Sequence, residues 1–150
     1  MKKILFPFLF SCLLVVVSCK DEPACCDHLA DFPDIQVLDE ETEEDLLNPD
    51  NEGTFDTSEI SLSAQTGNGL ENLLIEINYV EELNNHHIIS KDSKMIEFLS
   101  VEGNRDYYLS LNENTVDTIT LVINSSIRTE KVLINGAETE LNNNLLTIYK

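Results

Sequence analysis

One twelve-residue span carries oxygen-bearing side chains at positions that suit a hard metal ion. Within residues 48–59, the first, third, fifth, ninth and twelfth side chains end in an amide or a carboxylate. Calcium takes six to eight oxygen ligands, with carboxylates prominent among them. The sequence therefore predicts a candidate calcium site, whose ligands would be Asn48, Asp50, Glu52, Asp56 and Glu59.

The spacing of this span resembles the calcium loop of EF-hands, with Gly53 at the sixth position and Phe55 at the apolar eighth. It departs from that loop because Asn48 replaces an aspartate at the first position and Pro49 follows it. The residues from Ile60 onward also alternate as a strand and do not read as a flanking helix. The alternative interpretation is an acidic loop with Gly53 in a turn and no bound ion.

Two further groups could ligate metals. His86 and His87 are adjacent, and neighbours on a strand point to opposite faces, so the two rings cannot easily share one metal ion. We therefore expect a pair at the edge of a turn, in contact with solvent. Cys25 and Cys26 lie beside Asp27 and a histidine, a set that could bind a soft metal, but structural zinc needs a second cluster. In an oxidising compartment the two thiols could instead form a vicinal disulfide or pair with another chain, which leaves their state open.

Catalytic motifs are missing from the sequence. It has no Gly-x-Ser-x-Gly, no His-Glu-x-x-His and no glycine-rich phosphate loop, so we predict a protein that is not an enzyme. Sugar binding by stacking would depend on the four tyrosines, because the chain has no tryptophan. Tyr107 and Tyr108 lie on opposite faces of a predicted strand, and we expect Tyr108 to be the exposed ring.

The charge is unevenly distributed along the chain. The 150 residues have a formal net charge of −19, which excludes the basic patch that nucleic-acid binding requires. Residues 20–59 contain 15 of the 28 acidic residues and a single base, Lys20. Like charges at this density repel one another, so we predict an acidic, partly disordered tether over residues 19–56. Within it, Ile35 and Val37 alternate with polar neighbours and could add a short first strand.

Beyond residue 57 the hydrophobic pattern has a period of two. Ile119, Leu121 and Ile123 alternate with polar or smaller neighbours, and Asn135-Gly136 is a strong hairpin signal. About seven or eight short strands follow one another at spacings typical of antiparallel sandwiches. We therefore predict an all-β, immunoglobulin-like antiparallel sandwich over residues 57–150.

The first residues have the pattern of a secretory leader. A basic start with Lys2 and Lys3 precedes 14 mostly apolar residues, 4–17, whereas a membrane-spanning helix needs about 20. The run ends in Val16-Val17-Ser18-Cys19, which resembles the lipobox of bacterial lipoproteins. The resemblance implies a signal peptide over residues 1–18 and lipid attached to Cys19.

The resemblance also implies a location. Lys20 follows the cysteine in place of the aspartate that tends to retain lipoproteins in the inner membrane, so we expect a lipid-anchored protein of the outer membrane. Lys20-Asp21-Glu22 looks like a short surface-export signal, which leaves the periplasmic and the exposed faces both open. We expect the lipid anchor to be the chain's contact with the membrane.

The segments Asp45-Leu46-Leu47-Asn48-Pro49 and Ile60-Ser61-Leu62 look like those of small Gram-negative lipoproteins with a β-rich domain. That group has no established activity, so the resemblance carries over no functional residue. The sequence thus predicts a non-catalytic interaction or structural module with an unknown partner. A surface module that binds glycan or calcium is the alternative.

Overall fold

The computed structural model describes residues 31–150, which form ten β-strands and one short helix. The strands are β1 (Asp34–Leu38), β2 (Ser61–Thr66), β3 (Gly69–Leu73), β4 (Ile75–Val80), β5 (Asn85–Ser90), β6 (Gly103–Asn112), β7 (Thr115–Ile123), β8 (Thr129–Ile134), β9 (Ala137–Thr139) and β10 (Leu145–Tyr149). The helix α1 (Lys94–Leu99) lies between β5 and β6.

The strands form two sheets that pack face to face. One sheet has the order β10-β1-β5-β4, and the other has the order β3-β2-β6-β7-β8-β9. All pairings are antiparallel except that of β1 with β10, which is parallel. The predicted all-β sandwich is therefore confirmed, with one parallel pair added to it.

Alternating side chains build the core between the sheets. The long central strands β6 and β7 bury every second residue over most of their length, and their buried apolar residues are Tyr107, Leu109, Leu111, Ile119, Leu121 and Ile123. Ile35, Val37 and Leu146 meet them from the smaller sheet. Phe32 packs edge-on against Tyr107, with ring centroids 4.8 Å apart. Because both sheets have one polar face, this period of two is what fixes the register.

The folded part begins earlier than the predicted domain boundary at residue 57. Strand β1 lies inside the smaller sheet, between β10 and β5, and Leu46 and Leu47 belong to the hydrophobic core. The expected short first strand around Ile35 and Val37 is therefore confirmed, whereas the prediction of a tether is wrong for the segment that carries Leu46 and Leu47. Charge density misled it, because most of the acidic side chains, Asp45 excepted, are exposed or partly exposed while Leu46 and Leu47 beside them are buried. Residues 19–30 of the predicted tether lie outside the described residues.

The chain departs from the predicted strands at α1 as well. Within the region predicted to be a run of strands, Lys94–Leu99 is helical and buries Met95 and Leu99. Asp92 begins this turn, since its carboxylate accepts the Lys94 N–H at 2.9 Å. The predicted hairpin at Asn135-Gly136 is confirmed, with Ile134 paired to Ala137 and both turn residues at positive φ.

Candidate functional site

The residues predicted to carry lipid or a disulfide lie outside the described part of the chain. Cys19, Cys25 and Cys26 all precede residue 31, where the described structure begins. The predicted signal peptide over residues 1–18 lies outside the described residues as well. The attachment site and the state of the two thiols therefore stay predictions.

The proposed calcium ligands lie along one connecting segment between β1 and β2. Asn48 uses its side-chain oxygen to accept the Asp50 N–H at 3.1 Å, which is a local turn. Gly53 has φ of 75°, so it lies in a turn, as the alternative interpretation expects. Asp50, Glu52 and Glu59 are exposed.

The remaining calcium-ligand candidate, Asp56, already accepts hydrogen bonds from Ser58. Its carboxylate accepts the Ser58 hydroxyl at 2.7 Å and the Ser58 N–H at 2.9 Å. These bonds, that of the hydroxyl first, hold the pKa of Asp56 below its usual value. Within residues 31–150, no three histidine, cysteine or acidic side chains come together as metal ligands, so the structure does not assemble Asp50, Glu52, Asp56 and Glu59 around one point.

A buried carboxylate joins this connecting segment to the smaller sheet. Asp45 is only 6% exposed, and its Oδ2 accepts the His86 backbone N–H at 2.7 Å and lies 2.8 Å from the His86 Nδ1. Its Oδ1 accepts the Leu47 N–H at 2.9 Å. The Tyr79 ring lies 5.3 Å from the His86 ring, centroid to centroid. Both carboxylate oxygens are thus engaged in holding the segment in place.

His87 is not the solvent-contacting residue that the sequence predicted. Its side chain is buried, and its Nε2 has no hydrogen-bond partner among the described residues. Desolvation lowers the pKa of His87, against smaller opposing effects of Asp34 and Asp45. We therefore expect a neutral His87 ring near pH 7. The pair does lie at the edge of a turn, just after residues 81–84, and His86 is partly exposed, so the prediction is wrong only for the solvent contact of His87.

A second buried carboxylate links the two sheets. Asp117 on β7 is 1% exposed, and its Oδ1 accepts the Lys150 Nζ at 2.6 Å and the Asn135 Nδ2 at 2.8 Å. Lys150 follows β10, and its backbone N–H donates to the Leu38 carbonyl at 2.9 Å. One ion pair therefore joins β7 of the larger sheet to the end of the smaller one. Asp117 sits in a core-facing position of its strand, and no spacing in the sequence predicts its pairing with Lys150.

The tyrosines do not form one stacking platform. Tyr107 is buried in the core, and burial raises the pKa of its hydroxyl far above the usual range. Tyr108 lies on the opposite face, as predicted, but it is only partly exposed. The most exposed rings are those of Tyr79 and Tyr149, each about half exposed and on the two edge strands of the smaller sheet. The sequence singled out the wrong ring because it did not reveal which strands are edges.

Comparisons of the chain with protein-family models, curated proteins and solved structures found no match. In the described part, no helix is long and apolar enough to cross a membrane. The function proposed below therefore stands on the residues of this chain alone.

Proposed function

We propose that the chain is a lipid-anchored outer-membrane protein whose β-sandwich acts as a non-catalytic interaction or structural module. The observation that carries this proposal is the leader: Lys2 and Lys3, then the apolar residues 4–17, then Ser18-Cys19. Cleavage before Cys19 would leave a cysteine whose sulfur and amine both take acyl chains. The described fold begins only a short stretch after it, near Phe32.

Electrostatics supports lipid as the source of membrane affinity. Loss of Lys2 and Lys3 with the leader takes the formal net charge from −19 to −21. A protein this acidic is repelled by anionic lipid surfaces. Each buried CH₂ of an acyl chain contributes about 0.8 kcal/mol, so two or more chains give stable attachment despite that repulsion.

The use of the buried polar groups supports a structural or binding role over catalysis. Both oxygens of Asp45 are engaged by backbone N–H groups and by His86. Asp117 accepts one bond from Lys150, which joins the two sheets, and one from Asn135 within its own sheet. These are the contacts expected of carboxylates that fix a scaffold. A scaffold with these internal ties presents stable faces and edges to a partner.

The anchor is tested by the substitution Cys19→Ser. We expect this change to move the protein from the membrane fraction to the soluble fraction, because serine cannot form the thioether to the lipid. Cell fractionation with immunoblotting measures the distribution, and metabolic labelling with a palmitate analogue measures acylation. The matched control is Cys12→Ser, which removes a cysteine of the apolar run and should leave both readouts unchanged. A Cys19→Ser protein that still sediments with membranes and incorporates the label would contradict the proposal.

A further inference from the structure

Strand β4 leaves one of its two edges open. It pairs with β5 along its whole length, and within residues 31–150 no strand pairs with its other side. The Lys91 N–H donates to the Leu74 carbonyl at 2.9 Å, so the backbone carbonyl of Leu74 faces β5. Because backbone direction alternates along an antiparallel strand, Ile75, Ile77 and Tyr79 point their N–H and C=O groups to the open side. This edge therefore offers the backbone donors and acceptors of three alternate residues to another strand.

The other sheet edges in the described part are shorter or partly blocked. Strand β9 has only three residues. On β10, Leu145 is occupied by Asn142 through two backbone hydrogen bonds of 2.9 and 3.1 Å. Strand β4 has neither proline nor lysine, and its pairing with β5 shows no bulge. Proline, lysine and bulges are features by which proteins protect an edge, and β4 has none of them. It is also the longest of the four edge strands in the described part, with six residues against five in β3 and β10 and three in β9.

Apolar side chains surround the open edge. Ile75 and Ile77 are only partly buried against the core, and Tyr79 is 51% exposed. Leu74, directly before the strand, is 62% exposed, and Leu83 in the following turn is 49% exposed. A strand added to this edge would therefore cover apolar surface in addition to satisfying backbone groups.

We infer that β4 pairs with the β4 strand of a second copy of this chain, antiparallel and about a twofold axis at Ile77. In this register Ile77 lies opposite the partner's Ile77, and Ile75 lies opposite the partner's Tyr79. On the outer face, Glu76 lies opposite the partner's Asn78, an acceptor against a donor. Every opposed pair is compatible, which is the self-complementarity that a twofold interface requires.

The neighbouring register is disfavoured by charge. Moving the axis to Glu76 would place this carboxylate directly opposite the partner's Glu76, and like charges facing each other across strands are destabilising. Moving it instead to Asn78 would lose the match of Ile75 with Tyr79. The pairing would join two four-stranded sheets into one of eight strands. This inference does not depend on the lipid anchor, although anchoring two copies in one membrane would raise their local concentration.

Substitutions at position 78 test the register. By symmetry, Asn78→Glu creates two Glu–Glu oppositions, and Asn78→Lys creates two Lys–Glu oppositions in the same places. We expect the first to weaken and the second to strengthen self-association, with roughly a tenfold or larger difference in dimer Kd between them. The measurement is sedimentation equilibrium of the full mature chain in detergent that is density-matched to the solvent, at near-physiological salt.

Gln65→Glu is the matched control, since it makes the same charge change at an exposed position of β2, inside the other sheet. It should leave the Kd within about twofold of the wild type, because surface changes away from contacts are nearly neutral. Density matching gives the protein mass whether or not Cys19 carries lipid. A chain that does not dimerise is therefore distinguishable from a chain that carries no lipid.

Three outcomes would overturn the inference. The first is a wild-type chain that stays monomeric up to about 1 mM, which would leave the edge to a strand from a different protein. The second is a dimer whose Kd is the same for Asn78→Glu and Asn78→Lys. The third is a dimer that Gln65→Glu weakens as much as Asn78→Glu does.

Discussion

At the residue scale, the chemistry of this protein is concentrated in two buried carboxylates, Asp45 and Asp117, whose partners no motif predicts. Asp45 fixes the segment between β1 and β2 to β5 through His86, and Asp117 fixes β7 to Lys150. Buried charges persist only when they are paired and hydrogen-bonded, because their desolvation is costly. The two carboxylates therefore serve to specify how the parts of the sandwich meet.

The Asp117–Lys150 pair should show strong coupling in a double-mutant cycle. We expect Lys150→Met to cost about 3 kcal/mol of unfolding free energy, because it leaves a buried charge with fewer partners. Asp117→Leu removes that charge, so the double variant should lose clearly less than the sum of the two single variants. Urea unfolding followed by circular dichroism measures the four free energies. Additive losses would show that the two side chains do not stabilise each other.

His87 should make the unfolding free energy depend on pH at values above those at which carboxylates titrate. Its pKa is lowered in the folded state, so folding favours the neutral ring. The resulting stability is fully present above the ordinary histidine pKa of about 6.5 and is lost as the pH falls through the lower folded value. Hydrogen bonds hold the pKa values of Asp39, Asp56 and Asp92 below their usual range, so these groups stay charged in this window.

The test compares the urea midpoint of the wild type and of His87→Phe between pH 7.5 and 5. We expect the midpoint of the wild type to fall further than that of the variant, which lacks the titrating group. Equal falls in the two proteins would show that burial of His87 does not control the pH dependence.

At the scale of elements, the segment between β1 and β2 behaves as part of the fold. It contributes Leu46 and Leu47 to the core, and Phe55 packs against it. The Phe55 N–H also donates to the Leu46 carbonyl at 3.0 Å, which closes the loop on itself. Its many acids therefore form a charged outer side over an apolar inner one.

Leu47→Ala tests this placement. Truncation of a fully buried leucine should lower the unfolding free energy by about 2–5 kcal/mol, through lost burial and the cavity left behind. The matched control is Leu70→Ala, at a leucine that is 63% exposed on β3, where we expect a change within about 0.5 kcal/mol. Thermal or urea unfolding measures both. A Leu47→Ala protein as stable as the control would mean that this segment behaves as a free tether.

At the scale of the whole molecule, charge and edges decide how the chain meets its surroundings. The surface ion pairs, such as Lys131 with Glu138 at 3.1 Å and Lys94 with Glu71 at 3.4 Å, are exposed and contribute little stability. The excess of acids repels anionic surfaces, so the membrane attachment that we propose depends on the lipid. Two copies of so acidic a chain also repel each other, and the open β4 edge is the place where backbone pairing can overcome the repulsion between copies at short range.

The sequence alone determined the class of fold, because side-chain alternation and turn chemistry are local properties. The period of two in β6 and β7, and the Asn135-Gly136 hairpin, follow from which residues suit a half-buried strand and a tight turn. The acidic segment before residue 57 was misassigned because local charge does not reveal that Leu46 and Leu47 find a core elsewhere in the chain.

Only the tertiary structure decided which polar residues meet and which strand lies at an edge. Asp45 and His86 are 41 positions apart, and Asp117 and Lys150 are 33 apart, so their contact depends on strand order and not on any spacing in the sequence. The open edge of β4 has the same origin, since a strand of this composition would read identically if it lay inside the sheet. Strand order follows from the mutual burial of distant faces, which no local pattern encodes.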